Sequence, residues 1–221
     1  MMNWELFDPD DDVRLTAGRL PHWFQPGRLY FVTFRTDDSL PTSVVKLWLR
    51  QRDDWLRRRG IDARSADWQV RFASLPARLR RQFHATFSEE FLAHLDRGHG
   101  ECVLRRPEVS QIVEEGLWYF NEVRYQLTDF VVMPNHVHVL AGLLGDTDIV
   151  KQCHSWKKNS ALRINEVLGR KGRFWHEESF DHLVRSEEQF GMVRAYIACN
   201  PKKAGLREGE FALWRRMDLV G

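Results

Sequence analysis

Apolar and polar positions along this chain of 221 residues alternate between two regimes. Short runs rich in β-branched and aromatic residues predict strands, and apolar recurrence at helical spacing predicts helices. Arg28-Leu-Tyr-Phe-Val-Thr-Phe-Arg35 follows a Pro26-Gly27 turn signal and predicts the first strand. From Pro41 to Gly60, Val45, Trp48, Leu49, Trp55 and Leu56 predict a helix, with Arg50, Arg57, Arg58 and Arg59 opposite. Residues 61–74 show no period and read as a loop. Leu79, Phe83, Phe87, Phe91 and Leu95 then form a stripe over 76–96, read as one broken helix or two, with Ser88 as an N-cap. After Pro107, Val109, Ile112, Val113, Leu117 and Phe120 predict another helix.

Tyr125–Val132 and His136–Leu143 read as two strands of a hairpin, turning at Met133-Pro134-Asn135. A basic helix over 147–168 carries Lys151, Lys157, Lys158 and Arg163, and a glycine-flanked loop follows with Arg170, Lys171 and Arg173. The segment 174–185 ends in a fourth strand. Ser186-Glu-Glu-Gln189 is a capping box that opens a last helix, which Pro201 is expected to stop after Asn200. With residues 37–105 set aside as a helical insertion, the order is that of an α+β, ferredoxin-like βαββαβ antiparallel sheet. Helices are expected on one face, leaving the other open to a substrate. Residues 1–25, acidic at Asp8, Asp10, Asp11 and Asp12, read as an irregular arm carrying Pro21-His22-Trp23-Phe24. Residues 207–221 read as a tail docked through Phe211, Leu213 and Trp214, so that 1–221 forms one domain.

Composition narrows the class. Basic and acidic residues number 33 and 31 for a net charge of +2, which excludes a polybasic tail and leaves room for a local basic groove. No apolar stretch approaches the length of a membrane span, so neither a membrane segment nor a signal peptide is expected. Cys102, Cys153 and Cys199 are scattered without CxxC spacing and suit a reducing cytoplasm.

The candidate chemistry sits in the hairpin and the last helix. His136 and His138 are two apart on a strand and face the same way, so they could share a divalent metal or be ordinary polar residues of a half-buried strand. Tyr196 and Asn200 are four apart and share one helical face. Each has a bland reading, as amphipathic core edging and as a helix C-terminal residue before proline. Together the four residues have a chemical logic. A phenol is a poor nucleophile at its ordinary pKa, and a hard cation held by two imidazoles and an amide oxygen would pull charge from a phosphate. A His–His–Asn set favours Mg²⁺ or Mn²⁺ over zinc, because structural zinc sites usually contain thiolates.

Met133-Pro-Asn-His-Val-His138, Ser160-Ala-Leu-Arg-Ile-Asn165, Gly172-Arg-Phe-Trp-His176, Phe180-Asp-His-Leu-Val-Arg185 and Tyr196-Ile-Ala-Cys-Asn-Pro-Lys-Lys-Ala-Gly-Leu206 resemble the single-tyrosine HUH transposases of small insertion sequences. The likeness is to the branch associated with repetitive extragenic palindromes, and it runs from about Trp118 to Leu206. It implies His136 and His138 as metal ligands, Asn200 as the third ligand and Tyr196 as the nucleophile. It also implies nicking and rejoining of single-stranded DNA beside hairpins through a 5′-phosphotyrosine, in a bacterial cytoplasm, by a monomer or homodimer. His182 matches a recurrent family position without a derivable role. Lys157, Lys158, Arg163, Arg173, Trp175 and His182 are the expected DNA contacts, against a reading in which the charges are solvated and the tryptophan is core. Two other functions stay open: a catalytically idle hairpin-binding module, and a metal phosphodiesterase that uses water.

Overall fold

The computed structural model of the protein describes residues 4–8, 11, 14–16, 22–65 and 67–218. Its elements in chain order are β1 (Arg14–Thr16), β2 (His22–Phe24), β3 (Leu29–Arg35), α1 (Thr42–Arg57), α2 (Trp68–Ala73) and α3 (Ala77–Leu95). A 3₁₀ turn at Val103–Arg105 leads into α4 (Pro107–Trp118), β4 (Tyr125–Val132), β5 (His136–Leu143), α5 (Ile149–Val167), β6 (Phe180–Leu183), α6 (Glu187–Lys203) and β7 (Ala212–Arg215).

The five-stranded antiparallel sheet has the order β6-β3-β5-β4-β7. Its first four strands are the expected ferredoxin-like unit, and β7 is added at the β4 edge. Alternation along the strands divides the chain's apolar residues between two layers. Tyr30, Val32 and Phe34 of β3, with Val137, Val139 and Ala141 of β5, face the crossover helices α4 and α5, which bury Ile112, Val113, Leu117, Trp156 and Ile164 there. The Trp156 indole N–H donates to the Tyr125 hydroxyl at 2.8 Å, which donates to the Leu117 carbonyl at 2.7 Å. The indole N–H and the phenol are thereby satisfied.

Leu29, Phe31, Val131 and Leu140 point the other way and pack on Ile197, Phe190 and Val193 of α6. The opposite face is therefore not open along its length. The last helix covers part of it, and Trp4 and Leu6 of the N-terminal arm cover more. Gly142 permits this close approach, because a Cβ there would stand 2.0 Å from the Trp4 ring.

The insertion holds a separate cluster of Leu56, Ile61, Trp68, Phe72, Phe83 and Phe87. Two expectations change here. The segment expected as a loop contains α2, too short to show a period, because Trp68 and Phe72 bury into this cluster. The apolar stripe of 76–96 is one continuous helix, with Ser88 in its interior rather than at an N-cap. At the other end of the chain, Pro201 lies within the last turn of α6 and does not end it. Its missing N–H removes one donor to the Ile197 carbonyl, while Ala204 and Leu206 donate to the Asn200 and Pro201 carbonyls at 3.0 Å. The tail pairs as β7, stacking Trp214 on Phe130 with ring centroids 5.8 Å apart, while Leu213 stays 38% exposed. The arm is partly regular: β1 pairs with β2. Asp10, Asp12, Pro21 and residues 219–221 lie outside the described residues.

Candidate metal and nucleophile site

His136 and His138 on β5 are both fully buried and direct their Nε2 atoms to one point, 3.1 Å apart. Their other ring nitrogens are held from behind. Asn135 donates through Nδ2 to the His99 carbonyl at 2.8 Å, which fixes its amide so that Oδ1 accepts from His136 Nδ1 at 2.7 Å. His136 therefore carries its proton on Nδ1 and turns the Nε2 lone pair inward. His138 Nδ1 shares a hydrogen bond of 2.8 Å with the Thr33 hydroxyl on β3. Burial lowers the His136 pKa to about 3 and the His138 pKa well below the ordinary value, with His136 adding to the latter. Both imidazoles are neutral at physiological pH, the state a metal ligand requires.

The last helix brings the other two residues. Tyr196 directs its hydroxyl to His138 Nε2 at 3.3 Å, and Asn200 places Nδ2 3.4 Å from the same atom. The Asn200 Oδ1 is buried without a hydrogen-bond partner. Burial, helped by the charge of Asp96, raises the Tyr196 pKa above its ordinary value, with the hydrogen bond to Asn200 opposing. The phenol is thus held protonated. The Tyr196 ring meets Phe31 edge-on at 6.0 Å, and Lys203 Nζ lies 5.7 Å from the ring centroid.

A residue that the sequence did not indicate completes the cluster. Asp96 follows the last residue of α3 in the insertion, and its Oδ1 lies 3.6 Å from His136 Nε2 and 3.3 Å from Asn200 Nδ2. Burial raises its pKa, against the Asn200 hydrogen bond and the charge of Lys203. Among the described residues, Asp96, His136 and His138 are the one set of three such donors mutually within 4.8 Å. No linear spacing betrays this aspartate, which reads as the polar end of a helix. The turn after it is built to hold it: Leu95 is fully buried, and Gly98 and Gly100 take left-handed conformations. A Cβ on Gly100 would meet Asp38 at 2.7 Å. The same turn presents the His99 carbonyl that orients Asn135, so the insertion sets both a carboxylate and a histidine tautomer.

The donor chemistry fits a divalent cation. Two inward ring nitrogens face each other, a carboxylate stands beside them, and an amide with an unpartnered oxygen completes the ring. These donors mix nitrogen with hard oxygen and include no thiolate.

The expected DNA contacts are not brought together in the same way. Trp175 is 4% exposed, donates to Ser160 Oγ at 2.9 Å and packs edge-on against Phe34, so it offers no open ring face. Lys157 is also buried, donating to the Glu177 and His176 carbonyls at 2.6 and 3.3 Å. Arg163 pairs with Glu115 of α4 at 2.5 Å, in the helix layer behind the sheet. Lys158 is exposed, and Arg173 is exposed with Asp37 3.9 Å away. Lys158 and Arg173 flank a shallow groove beside Trp175. His182 lies on β6 opposite Phe31 and bonds Gln189 in the first turn of α6 at 2.6 Å.

Among the described residues no helix is long and apolar enough to cross a membrane. No curated protein matches the chain. Among solved structures it is similar to one described as a REP-associated tyrosine transposase bound to a REP hairpin, at 15% identity and a TM-score of 0.42 over 87% of this chain and 77% of that one. Residues 104–200 match the family model described as "Transposase IS200 like". Asp96 lies ahead of that match. The matched residues 104–200 carry both histidines, the tyrosine and the asparagine of this site.

Proposed function

We propose that the protein nicks and rejoins single-stranded DNA beside hairpins, with Tyr196 as the nucleophile, as in the branch associated with repetitive extragenic palindromes. The observation that carries this reading is the Tyr196 hydroxyl 3.3 Å from His138 Nε2, with Asn200, Asp96 and His136 around it. Three segments far apart in sequence converge on one point, and each brings a donor that could bind a cation.

His136, His138, Asp96 and Asn200 through Oδ1 would hold Mg²⁺ or Mn²⁺. When bound, the ion supplies positive charge to phosphate oxygens and lowers the cost of a phenolate. The Tyr196 oxygen attacks phosphorus, the bond from phosphorus to the 3′ oxygen breaks, and the phenolic proton is balanced by the proton on the released 3′-hydroxyl. The product is a 5′-phosphotyrosine. The phosphodiester energy is kept, so a 3′-hydroxyl can attack in reverse and free the phenol without a nucleotide cofactor. Phe31 and the α6 backbone hold the ring, while burial excludes water from competing for the phosphate. The setting is a bacterial cytoplasm, with the protein acting as a monomer or homodimer.

The test is a denaturant-resistant adduct between the full-length protein and hairpin oligonucleotides with single-stranded flanks, mapped by peptide analysis. An adduct on Tyr196 is expected. Binding without an adduct would make this a hairpin-binding module, and cleavage that survives in Tyr196→Phe would make it a phosphodiesterase that uses water.

A further inference from the structure

Arg35 is 5% exposed at the end of β3, yet among the described residues no carboxylate forms an ion pair with its guanidinium. Only Nη1 bonds the protein among the described residues, to Ser39 Oγ at 3.0 Å and the Thr36 carbonyl at 3.4 Å. Burial lowers its pKa to about 10, with Asp37, Glu178 and Asp38 opposing only through space. A buried guanidinium with open donors is costly unless something arrives to take them.

Those donors line a cavity of about 60 Å³, enclosed by β3 on one side and α1 and α3 of the insertion on the other. One water needs roughly 10–15 Å³ on this measure, so several are displaceable. The walls include Val45, Trp48, Leu49 and Phe91, and Arg52 and Glu178 add a second guanidinium and a carboxylate to this aromatic lining. Phe91 itself lies 5.9 Å from the guanidinium. The cavity also adjoins the reactive centre. Thr33 lines it and bonds His138 at 2.8 Å, and Arg35 pairs across the sheet with His136.

We infer that this cavity receives one unpaired nucleobase of the DNA strand next to the scissile phosphate, with Trp48 and Phe91 against the ring and Arg35 reading its edge. The inference rests on the nicking function proposed above. A base has a planar apolar body and a rim of both donors and acceptors, which matches aromatic walls that also carry guanidinium donors and the Glu178 carboxylate. A guanidinium pairs best with two adjacent acceptors, and guanine presents O6 and N7 in that arrangement. The insertion would then contribute both the Asp96 carboxylate and the base pocket, tying sequence choice to the reactive centre.

The test uses the full-length protein and hairpin oligonucleotides with a short unpaired flank, each flank position set in turn to the four bases and to an abasic residue. Wild type is expected to prefer guanine at one position by roughly 10–100-fold over the abasic residue. Arg35→Met removes the donors, and Val45→Trp fills the cavity from α1. Both are expected to bind the guanine and abasic strands alike while keeping wild-type Mn²⁺ affinity and thermal stability. Full discrimination retained in folded Val45→Trp overturns the pocket and leaves the nicking function standing. Equal binding of every flank by wild type also overturns it. Failure of wild type to bind any strand overturns both.

Discussion

Asp96 Oδ1 stands 3.6 Å from His136 Nε2, joining the helical insertion to the central hairpin. Because His136 is held neutral, this contact is not an ion pair, and a cation between them would satisfy both the carboxylate and the ring nitrogen. Asp96→Asn keeps the shape and the Asn200 contact but removes the charge. It is expected to weaken Mn²⁺ binding by at least about 10–100-fold, the range that even outer-shell partners command. Calorimetric titration of Mn²⁺ into the two proteins decides it, and equal affinities would remove Asp96 from the ligand set.

Tyr196→Phe removes one oxygen that makes a long hydrogen bond of 3.3 Å and leaves the ring packed on Phe31. Stability should change by no more than about 1 kcal/mol. Covalent adduct with single-stranded DNA should vanish while hairpin binding persists. A mutant that still forms the adduct would assign the nucleophile elsewhere.

Removal of the metal gives a third expectation. An ion at 100 times its Kd stabilises the folded state by about 2.7 kcal/mol, which raises Tm by roughly 5–10 °C in a protein of this size. Chelator should abolish the rise, and so should His136→Ala or His138→Ala. Asn200→Ala should reduce it only in part, since a neutral amide is the weakest of the ligands. A full rise in His138→Ala would place the ion at another site.

How much of this was legible in the sequence depends on whether the signal is local. The strands, the hairpin, the shared strand face of His136 and His138 and the shared helix face of Tyr196 and Asn200 follow from periods of two and nearly four. The side of the sheet that α6 would occupy has no local signal. It is settled by which face of β3 and β5 carries Leu29, Phe31 and Leu140 against Ile197. Asp96 was invisible for the same reason, since only the fold of the insertion delivers it to His136. Trp175 and Lys157 looked like DNA contacts because their basic, aromatic surroundings resemble a groove. Their burial follows from α5 packing against the segment before β6, which brings Ser160 to the indole N–H.

The seat of the tyrosine helix rests on one buried carboxylate. Asp129 is fully buried at a register shift in β4 and accepts from Arg194 of α6 at 2.7 Å and Arg215 of β7 at 3.0 Å. Arg194 lies two residues before Tyr196, so this pair locks the helix to the sheet. Asp129→Ala leaves the Arg194 charge buried and is expected to cost about 3–5 kcal/mol. Adduct formation should fall alongside, below the unfolding midpoint, as α6 loosens and β7 detaches. Wild-type adduct rates in a destabilised but folded mutant would show that the pair does not position Tyr196.

The groove beside Trp175 yields the last expectation, narrowed by what is buried. Lys158 and Arg173 are the exposed cations there, whereas Lys157 is tied to backbone carbonyls and Arg163 is paired with Glu115. If single-stranded DNA tracks this groove, each phosphate contact releases counterions and steepens the salt dependence of binding by about 0.7 in the log–log slope. Lys158→Gln with Arg173→Gln should therefore flatten the slope by roughly 1.4, with the metal-dependent rise in Tm intact. Lys157→Met should do the reverse, lowering Tm because the two carbonyls lose their donor, while the slope moves little. Arg163→Gln should leave the slope unchanged, since the ion pair with α4 lies behind the sheet from the reactive centre. An unaltered slope in the double mutant would exclude this groove as the DNA path. The exposed arginines of α1, among them Arg50, would then be the surface to test, next to the pocket that the same helix encloses.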